Sequence, residues 1–68
     1  MVKVRYLNKS GDSLQELALP EARELLGREI DNGNIVYDED ERRIVEKATL
    51  GKINSESNVA VFPRVAGG

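Results

Sequence analysis

The chain of 68 residues contains neither cysteine nor histidine. Without cysteine it has no disulfide, no thiolate nucleophile and no sulfur ligand for a metal ion. Without histidine it lacks the side chain that ordinarily titrates near neutral pH and most often binds zinc. Both absences argue against a self-contained hydrolase or transferase site. We therefore expect a protein that is not an enzyme, with no catalytic residue and no metal site of its own.

A strong excess of one charge sign is also missing. The 12 acidic and 10 basic residues are scattered along the chain, and the net charge is −2. A row of phosphates needs a basic patch to neutralise it, so we expect no nucleic-acid partner. No apolar run approaches the roughly 20 residues of a membrane span, and the first residues contain no hydrophobic segment of signal-peptide length. The sequence thus predicts a cytoplasmic protein that does not bind membranes.

What the chain does contain is enough for one small domain with a thin core. A domain of this size buries only about 60% of the surface that its unfolded chain exposes. The apolar share of 40%, before glycine is counted, is typical of a folded globular protein and not of a disordered one. The composition therefore predicts one set of secondary-structure elements around one core.

The first elements indicate a hairpin. Residues 2–6 alternate between apolar and basic side chains, which is typical of a half-buried strand. Residues 8–13 are a dense cluster of turn-forming residues. A returning strand is predicted from Leu14 to about Leu19, with a less regular alternation.

A helix is predicted next, with Pro20 as its first residue, because the missing N–H of proline costs nothing at a helix start. Its apolar stripe has helical spacing and consists of Ala22, Leu25, Leu26 and Ile30. Gly27 is unfavourable within a helix by about 1 kcal/mol and indicates either close packing on the sheet or early fraying. The helix is expected to stop at residues 32–34, which include a glycine suited to the left-handed conformation.

Residues 35–37 and 43–45 are short runs rich in β-branched side chains. Between them, residues 38–42 are predicted to form the charged, solvated tip of a second hairpin. The segment 48–53 fits either a turn of helix or irregular chain. Residues 59–62 are the strongest strand signal in the sequence.

This order of elements predicts an α+β domain over residues 1–63, in which one helix covers one face of a mixed sheet of four to five strands. The last strand can lie centrally beside the first and parallel to it, because the helix supplies a crossover connection. Pro63 ends that strand. Residues 64–68, the C-terminal tail, follow it.

The tail has the properties of an extension that enters another protein. Arg64 is its only polar residue, and Gly67 and Gly68 have no side chains to obstruct a narrow channel. Five extended residues span roughly 17 Å, enough to carry a terminal carboxylate into a buried site. That carboxylate is a poor electrophile, so a partner enzyme would have to activate it with ATP. Sulfur displacing AMP from the adenylate would then leave a thiocarboxylate.

The last ten residues, VAVFPRVAGG, resemble the end of the small subunit of molybdopterin synthase and are similar to the thiamine-pathway sulfur carrier. Both are ubiquitin-like β-grasp sulfur carriers, and the resemblance implies that fold. It also implies that Gly68 is adenylated and thiocarboxylated and that Gly67 gives it clearance. By the same resemblance, Phe62, Val65 and Ala66 contact the activating enzyme and the sulfur acceptor.

The partners implied are an adenylating enzyme that uses ATP, a sulfur donor, and a sulfur acceptor enzyme such as a molybdopterin synthase large subunit. No permanently bound cofactor is implied. Molybdenum cofactor, thiamine, cysteine and transfer-RNA thiolation all remain open as the pathway. The carriers often have an Asn-Gly turn between their middle strands, where this chain has residues 38–42.

Two alternatives stay open. Arg64 stands where the molybdopterin form often has a second proline, and a basic residue there is typical of ubiquitin-like modifiers, in which it pairs with acidic groups on the activating enzyme. The chain would then be a protein modifier conjugated through Gly68 to lysines of its targets. The other alternative is a plain interaction module with an incidental tail.

Overall fold

A computed structural model describes residues 1–8 and 11–63 of the chain. The elements, in chain order, are β1 (Val2–Asn8), β2 (Gly11–Leu17), α1 (Leu19–Asp31), β3 (Ile35–Asp38), β4 (Arg43–Ile44), a 3-10 helix (Lys47–Lys52) and β5 (Asn58–Phe62). Sheet order is β2-β1-β5-β3-β4. β5 is parallel to β1 and antiparallel to β3, and both hairpins are antiparallel. The prediction of an α+β fold with a mixed sheet and a central last strand is therefore confirmed.

The core lies between α1 and one face of this sheet. Every second residue of the three inner strands points towards the helix, and five of these positions are buried valines. They are Val2 and Val4 of β1, Val59 and Val61 of β5, and Val36 of β3, and each is at most 2% exposed. Ala22 and Leu26 of α1, together with Val45 and Ile53, complete the buried cluster. The alternation that predicted β1 thus marks the face that is covered.

The first hairpin is tighter than the sequence predicted. Pairing between β1 and β2 continues to Asn8 opposite Gly11, so only residues 9–10 connect the two strands. The predicted turn over residues 8–13 is therefore wrong, as is the extension of β2 to Leu19, which is the first residue of α1. Polar residues suffice in β2 because its side chains are almost all exposed, and ladder hydrogen bonds use only the backbone.

Helix α1 begins and ends as its sequence signals indicate. Pro20 lies in the first turn, one position later than predicted. At the other end Gly33 has a φ of 86°, and its N–H donates to the Ile30 carbonyl at 3.0 Å. The N–H of Asn34 donates to the Glu29 carbonyl, also at 3.0 Å. These two bonds form a Schellman motif, which confirms the predicted stop.

Gly27 is buried in the middle of α1, and the helix continues past it to Asp31 without fraying. A Cβ atom at this position would lie 3.4 Å from Cδ2 of Leu50, which belongs to the 3-10 helix. The close packing expected of Gly27 is therefore against the 3-10 helix and not against the sheet. Position in the tertiary structure, and not the helix pattern itself, decides which neighbour the glycine meets.

The 3-10 helix resolves the ambiguity of residues 48–53. The Thr49 hydroxyl oxygen accepts the Glu46 N–H at 2.9 Å at its start. The Arg23 guanidinium of α1 donates to the carbonyls of Gly51 at 3.1 Å and Ile53 at 2.9 Å at its end. These bonds hold the 3-10 helix against α1 and position the chain that leads into β5.

The second hairpin is confirmed, with a shorter β4 than predicted. Its tip is ordered by Asp38, which is buried and whose carboxylate accepts the N–H groups of Asp40 at 2.9 Å and Glu41 at 3.1 Å. The expectation that all of residues 38–42 are a solvated tip is therefore wrong for Asp38, which acts as the local turn cap. Arg42 has a φ of 56°, the left-handed conformation that glycine or asparagine adopts more readily.

Candidate functional site

One of the six residues predicted to form the site lies in the part of the chain that the structure describes. Phe62 is the last residue of β5, pairs with Ile35 of β3 and is 37% exposed. The other five predicted site residues lie outside the described residues; they are Arg64, Val65, Ala66, Gly67 and Gly68. Phe62 and the surface around it therefore form the described part of the candidate site.

Phe62 lies on the face of the sheet that α1 leaves uncovered. Along β5, Val59 and Val61 point to the core, so Ala60 and Phe62 point to the opposite face. Ala60 is nevertheless only 2% exposed. Its cross-strand neighbours are Arg5 on β1 and Tyr37 on β3, and side chains paired in this way lie on the same face. The small methyl group therefore forms a floor that the larger side chains on either side cover.

Large apolar side chains surround this floor on the β3 and β4 side. Ile35 is 46% exposed and Ile44 is 58% exposed. Tyr37 lies between them in the sheet, since it pairs with Ile44 and follows Ile35 by two residues on β3. We refer to the set Ile35, Tyr37, Ile44, Ala60 and Phe62 as the apolar patch. Ala60 is the buried centre of this patch, and contiguous exposed apolar side chains such as Ile35, Ile44 and Phe62 mark sites of interaction with other proteins.

Basic residues border the apolar patch on the β1 side. Lys3 and Arg5 are exposed and lie on the same uncovered face of β1. Lys3 stands opposite Glu16 of β2, whereas Arg5 stands opposite Leu14 and Ala60. A partner that covers the patch would therefore meet an apolar centre with a positive charge at its margin, which is the usual layout of a protein interface.

The apolar patch and the tail are adjacent in the chain. Pro63 follows Phe62 directly, and residues 64–68 come next in the sequence. Because β5 is central in the sheet, its direction is held by β1 on one side and β3 on the other. Any partner seated on the patch is therefore next to the point from which the tail starts.

The titratable groups with displaced pKa values are away from the patch and have structural roles. The carboxylate of Asp40 accepts the backbone N–H of Asn58 at 2.8 Å and its side-chain amide at 3.1 Å, and both bonds lower the pKa of Asp40. Burial of the Tyr6 side chain is the larger cause that raises the pKa of Tyr6, and the negative charge of Glu29 is the smaller one. Neither displacement brings a group into the range useful for acid–base catalysis at neutral pH.

The described part of the chain also contains no cluster of three or more acidic side chains arranged to hold a metal ion. A cavity of about 200 Å³ lies between the second hairpin and the 3-10 helix. Its charged lining residues are of both signs, Asp38 and Glu41 with Arg43 and Lys52, so it presents no single charge to a ligand. The apolar patch with its basic border is therefore the surface best suited to binding, and its chemistry suits a protein partner.

Sequence reasoning missed Ile35, Tyr37 and Ile44 as parts of the site. The available signal was that residues 35–37 are apolar at every position and do not alternate with polar residues. A strand with one covered face normally alternates, so an unbroken apolar run indicates that its second face is also to be covered.

Comparison of the chain with family models, with curated proteins and with solved structures found no match. No helix among residues 1–8 and 11–63 has both the length and the apolar character needed to cross a membrane.

Proposed function

We propose that this chain is a sulfur carrier with a ubiquitin-like β-grasp fold, which delivers sulfur as a thiocarboxylate on Gly68. The observation that supports this proposal best is the continuity of the apolar patch with the tail through the central strand β5. The β-grasp assignment is supported by the parallel pairing of the first and last strands at the centre of the sheet, with one helix across one face.

The chemistry belongs to the carboxylate of Gly68 and to partner enzymes. In an adenylating enzyme, a carboxylate oxygen attacks the α-phosphorus of ATP, and pyrophosphate leaves. Hydrosulfide supplied by the sulfur donor then attacks the acyl carbon of the adenylate, AMP leaves with the electron pair of the broken C–O bond, and the sulfur-bound proton passes to solvent. The resulting thiocarboxylate is a stronger nucleophile than a carboxylate at neutral pH. Its sulfur adds to an electrophilic carbon of the molecule bound by the acceptor enzyme. Water then cleaves the acyl–sulfur bond, which leaves the sulfur on the acceptor and restores the Gly68 carboxylate.

The described residues would serve this chemistry by docking. A partner enzyme would cover the apolar patch, with Phe62 and Ile35 as paired anchors at the end of the sheet. From Pro63 onward the tail spans roughly 17 Å when extended, which sets how far the partner's reaction centre lies from the patch. In this proposal Gly67 gives clearance at that centre, and Arg64, Val65 and Ala66 contact the channel leading to it.

Intact mass spectrometry tests the proposal directly. The full chain is incubated with an adenylating enzyme, ATP and a sulfur donor, and the expected result is the gain of one sulfur in place of one oxygen. The mass before incubation establishes whether Gly68 carries the free carboxylate that the reaction needs. A variant without Gly68 should keep its fold and gain no sulfur. Thiocarboxylate formation on that truncated variant would refute the assignment.

A second candidate is supported by Arg64, the basic residue before the tail, which is typical of ubiquitin-like modifiers. In that case Gly68 forms an isopeptide bond with lysines of target proteins. Denaturing gels of the tagged chain expressed in cells distinguish the two. Ladders that survive reductant are expected of a modifier, and a carrier alone produces none.

The plain interaction module predicts a third result. A protein fused to the C-terminus would block every reaction at Gly68 but leave the apolar patch accessible. If the fused protein retains its full activity in cells, that result would support the interaction module over both reactions at the tail.

A further inference from the structure

We infer that the free edge of β2, together with the groove between β2 and α1, binds an extended basic segment of a partner protein as an additional strand of the sheet. This site is separate from the apolar patch and does not depend on the proposed sulfur chemistry. The inference rests on the backbone of β2, the shape of the groove and the charges along both.

The outer edge of β2 pairs with no other strand of the described residues. Lys3 donates its N–H to the carbonyl of Ser57, towards the β5 side of β1. Its neighbours Val2 and Val4 therefore direct their backbone groups towards β2, where they pair with Leu17 and Gln15. The intervening residues of β2 consequently direct their N–H and C=O groups outward, away from β1; they are Asp12, Leu14 and Glu16. β2 is the outermost strand and is seven residues long, so this edge is a template for another strand.

A groove lies beside this edge on the helix side. Its volume is about 240 Å³, and it is lined by Gln15, Leu17, Glu21, Glu24, Leu25 and Arg28. Leu17 and Leu25 are half-buried and pack against the core, so they form an apolar floor. A strand added to β2 would place alternate side chains over this floor, which accommodates apolar residues.

The charges along the edge and groove favour a basic occupant. Asp12 and Glu16 are exposed on the uncovered face of β2, and Glu21 and Glu24 lie on the helix side. Arg28 is the basic residue of the groove lining, and its guanidinium is bound to Glu24 at 2.9 Å, so these two charges cancel and the acidic charge beside the edge is that of Asp12, Glu16 and Glu21. The basic residues of β1 are one strand further away, about 4.8 Å more distant from an added strand than the acidic residues of β2.

The same charges argue against a second copy of this chain as the occupant. Antiparallel pairing of two β2 strands about Leu14 would set Asp12 of each copy opposite Glu16 of the other. Like charges directly opposite each other destabilise a strand pair. The expected partner segment instead carries two basic residues opposite Asp12 and Glu16, with an apolar residue between them opposite Leu14. The residues between these positions are apolar and point into the groove.

A synthetic peptide tests this site. The probe is an acetylated and amidated heptapeptide with the sequence Thr-Lys-Val-Leu-Val-Lys-Thr, and a matched control peptide has glutamate in place of both lysines. We expect the lysine peptide to shift the amide NMR signals of β2 and of the first half of α1. We expect the glutamate peptide to bind at least about tenfold more weakly than the lysine peptide.

Charge reversal of the protein provides the decisive comparison. The double substitution Asp12→Lys and Glu16→Lys changes only exposed side chains, so the fold is expected to persist. It should lower the affinity for the lysine peptide about tenfold and raise the affinity for the glutamate peptide. Glu41→Lys, on the second hairpin, is the control substitution and should leave both affinities unchanged.

Several results would overturn the inference. They are the absence of binding by the lysine peptide, equal binding by both peptides, and shifts confined to Ile35, Ile44 and Phe62. Concentration-dependent dimerisation through β2 without peptide would replace the partner segment with a second copy and would also overturn it.

Discussion

The two faces of the sheet differ sharply although the same strands make both. On the face towards α1, Val59 and Val61 of β5 are at most 2% exposed, whereas Phe62 on the other face is 37% exposed. A helix of 13 residues covers one face of a five-stranded sheet and no more. The apolar side chains of the uncovered face therefore contribute little to the core and are available to a partner.

The comparison assigns different energetic roles to neighbouring residues. A fully buried valine or leucine contributes about 1.5–3 kcal/mol through the apolar surface that it removes from water. An exposed isoleucine such as Ile44 contributes a small part of that until a partner covers it. Substitutions on the two faces should therefore separate stability from binding.

The largest expected effect is on the covered face. Leu26→Ala removes a fully buried side chain and should lower the free energy of unfolding by about 2–4 kcal/mol, a large share of the stability of so small a domain. Leu14→Ala, on the uncovered face, should change it by less than about 0.5 kcal/mol. Urea denaturation measures both. Equal losses from the two substitutions would show that the faces do not differ as described.

The next effect sharpens the comparison from the uncovered face. Phe62→Asp should reduce the rate of thiocarboxylate formation by at least about tenfold, because it puts a charge in place of an apolar anchor of the proposed interface. The free energy of unfolding should change by about 1 kcal/mol or less, since Phe62 lies at the end of β5, on the uncovered face and outside the buried core.

Leu14→Asp is the matched control, because Leu14 is exposed on the same face but lies outside the apolar patch. A full rate with Phe62→Asp, or an equal loss with Leu14→Asp, would argue against docking through the patch.

A smaller effect tests how tightly the covered layer is packed. Gly27→Ala should raise the free energy of unfolding by about 0.5–1 kcal/mol, because alanine favours the helix. The added Cβ would meet Leu50 at 3.4 Å, an ordinary contact distance. Gly51→Ala, where nothing lies within 4 Å, controls for the backbone effect alone. Destabilisation by Gly27→Ala in thermal denaturation would mean that α1 and the 3-10 helix leave no room there.

The smallest effect concerns a contact that belongs to neither face. Hydrogen bonds from the backbone and side chain of Asn58 lower the pKa of Asp40, so its charged form is favoured in the folded state. A lowered pKa contributes stability above the ordinary aspartate pKa of about 3.9, and this contribution is lost as the pH falls through the folded-state value.

Asp40→Asn should therefore be less stable than the wild type at neutral pH, and the difference should shrink on acidification below about pH 4. Melting temperatures across this range measure the change. A difference that stays constant with pH would show that the charge of Asp40 has no part in the contact.

The local sequence pattern was sufficient to predict most strands and the α-helix, but it was insufficient to predict their exact lengths and which residues they would contact. The helix stop at Gly33 was predictable because glycine readily adopts the left-handed conformation that this stop requires. The length of β2 was not predictable, because an exposed edge strand places almost no demand on its side chains. Asp38 appeared to belong to a solvated charge run, and its burial depends on a turn that only the paired hairpin creates.

The sequence by itself determined the strands and the α-helix, their order, the core-facing stripe of α1 and the presence of a Gly-Gly tail after a strong strand. Side-chain periodicity and helix-stop signals are local properties, so they can be read from consecutive residues. Only the tertiary structure decided the partner of Gly27, the grouping of Ile35, Ile44 and Phe62 into one patch, and the free edge at β2. Each of these depends on which distant strands and helices become neighbours, and that outcome is set by packing the whole core at once.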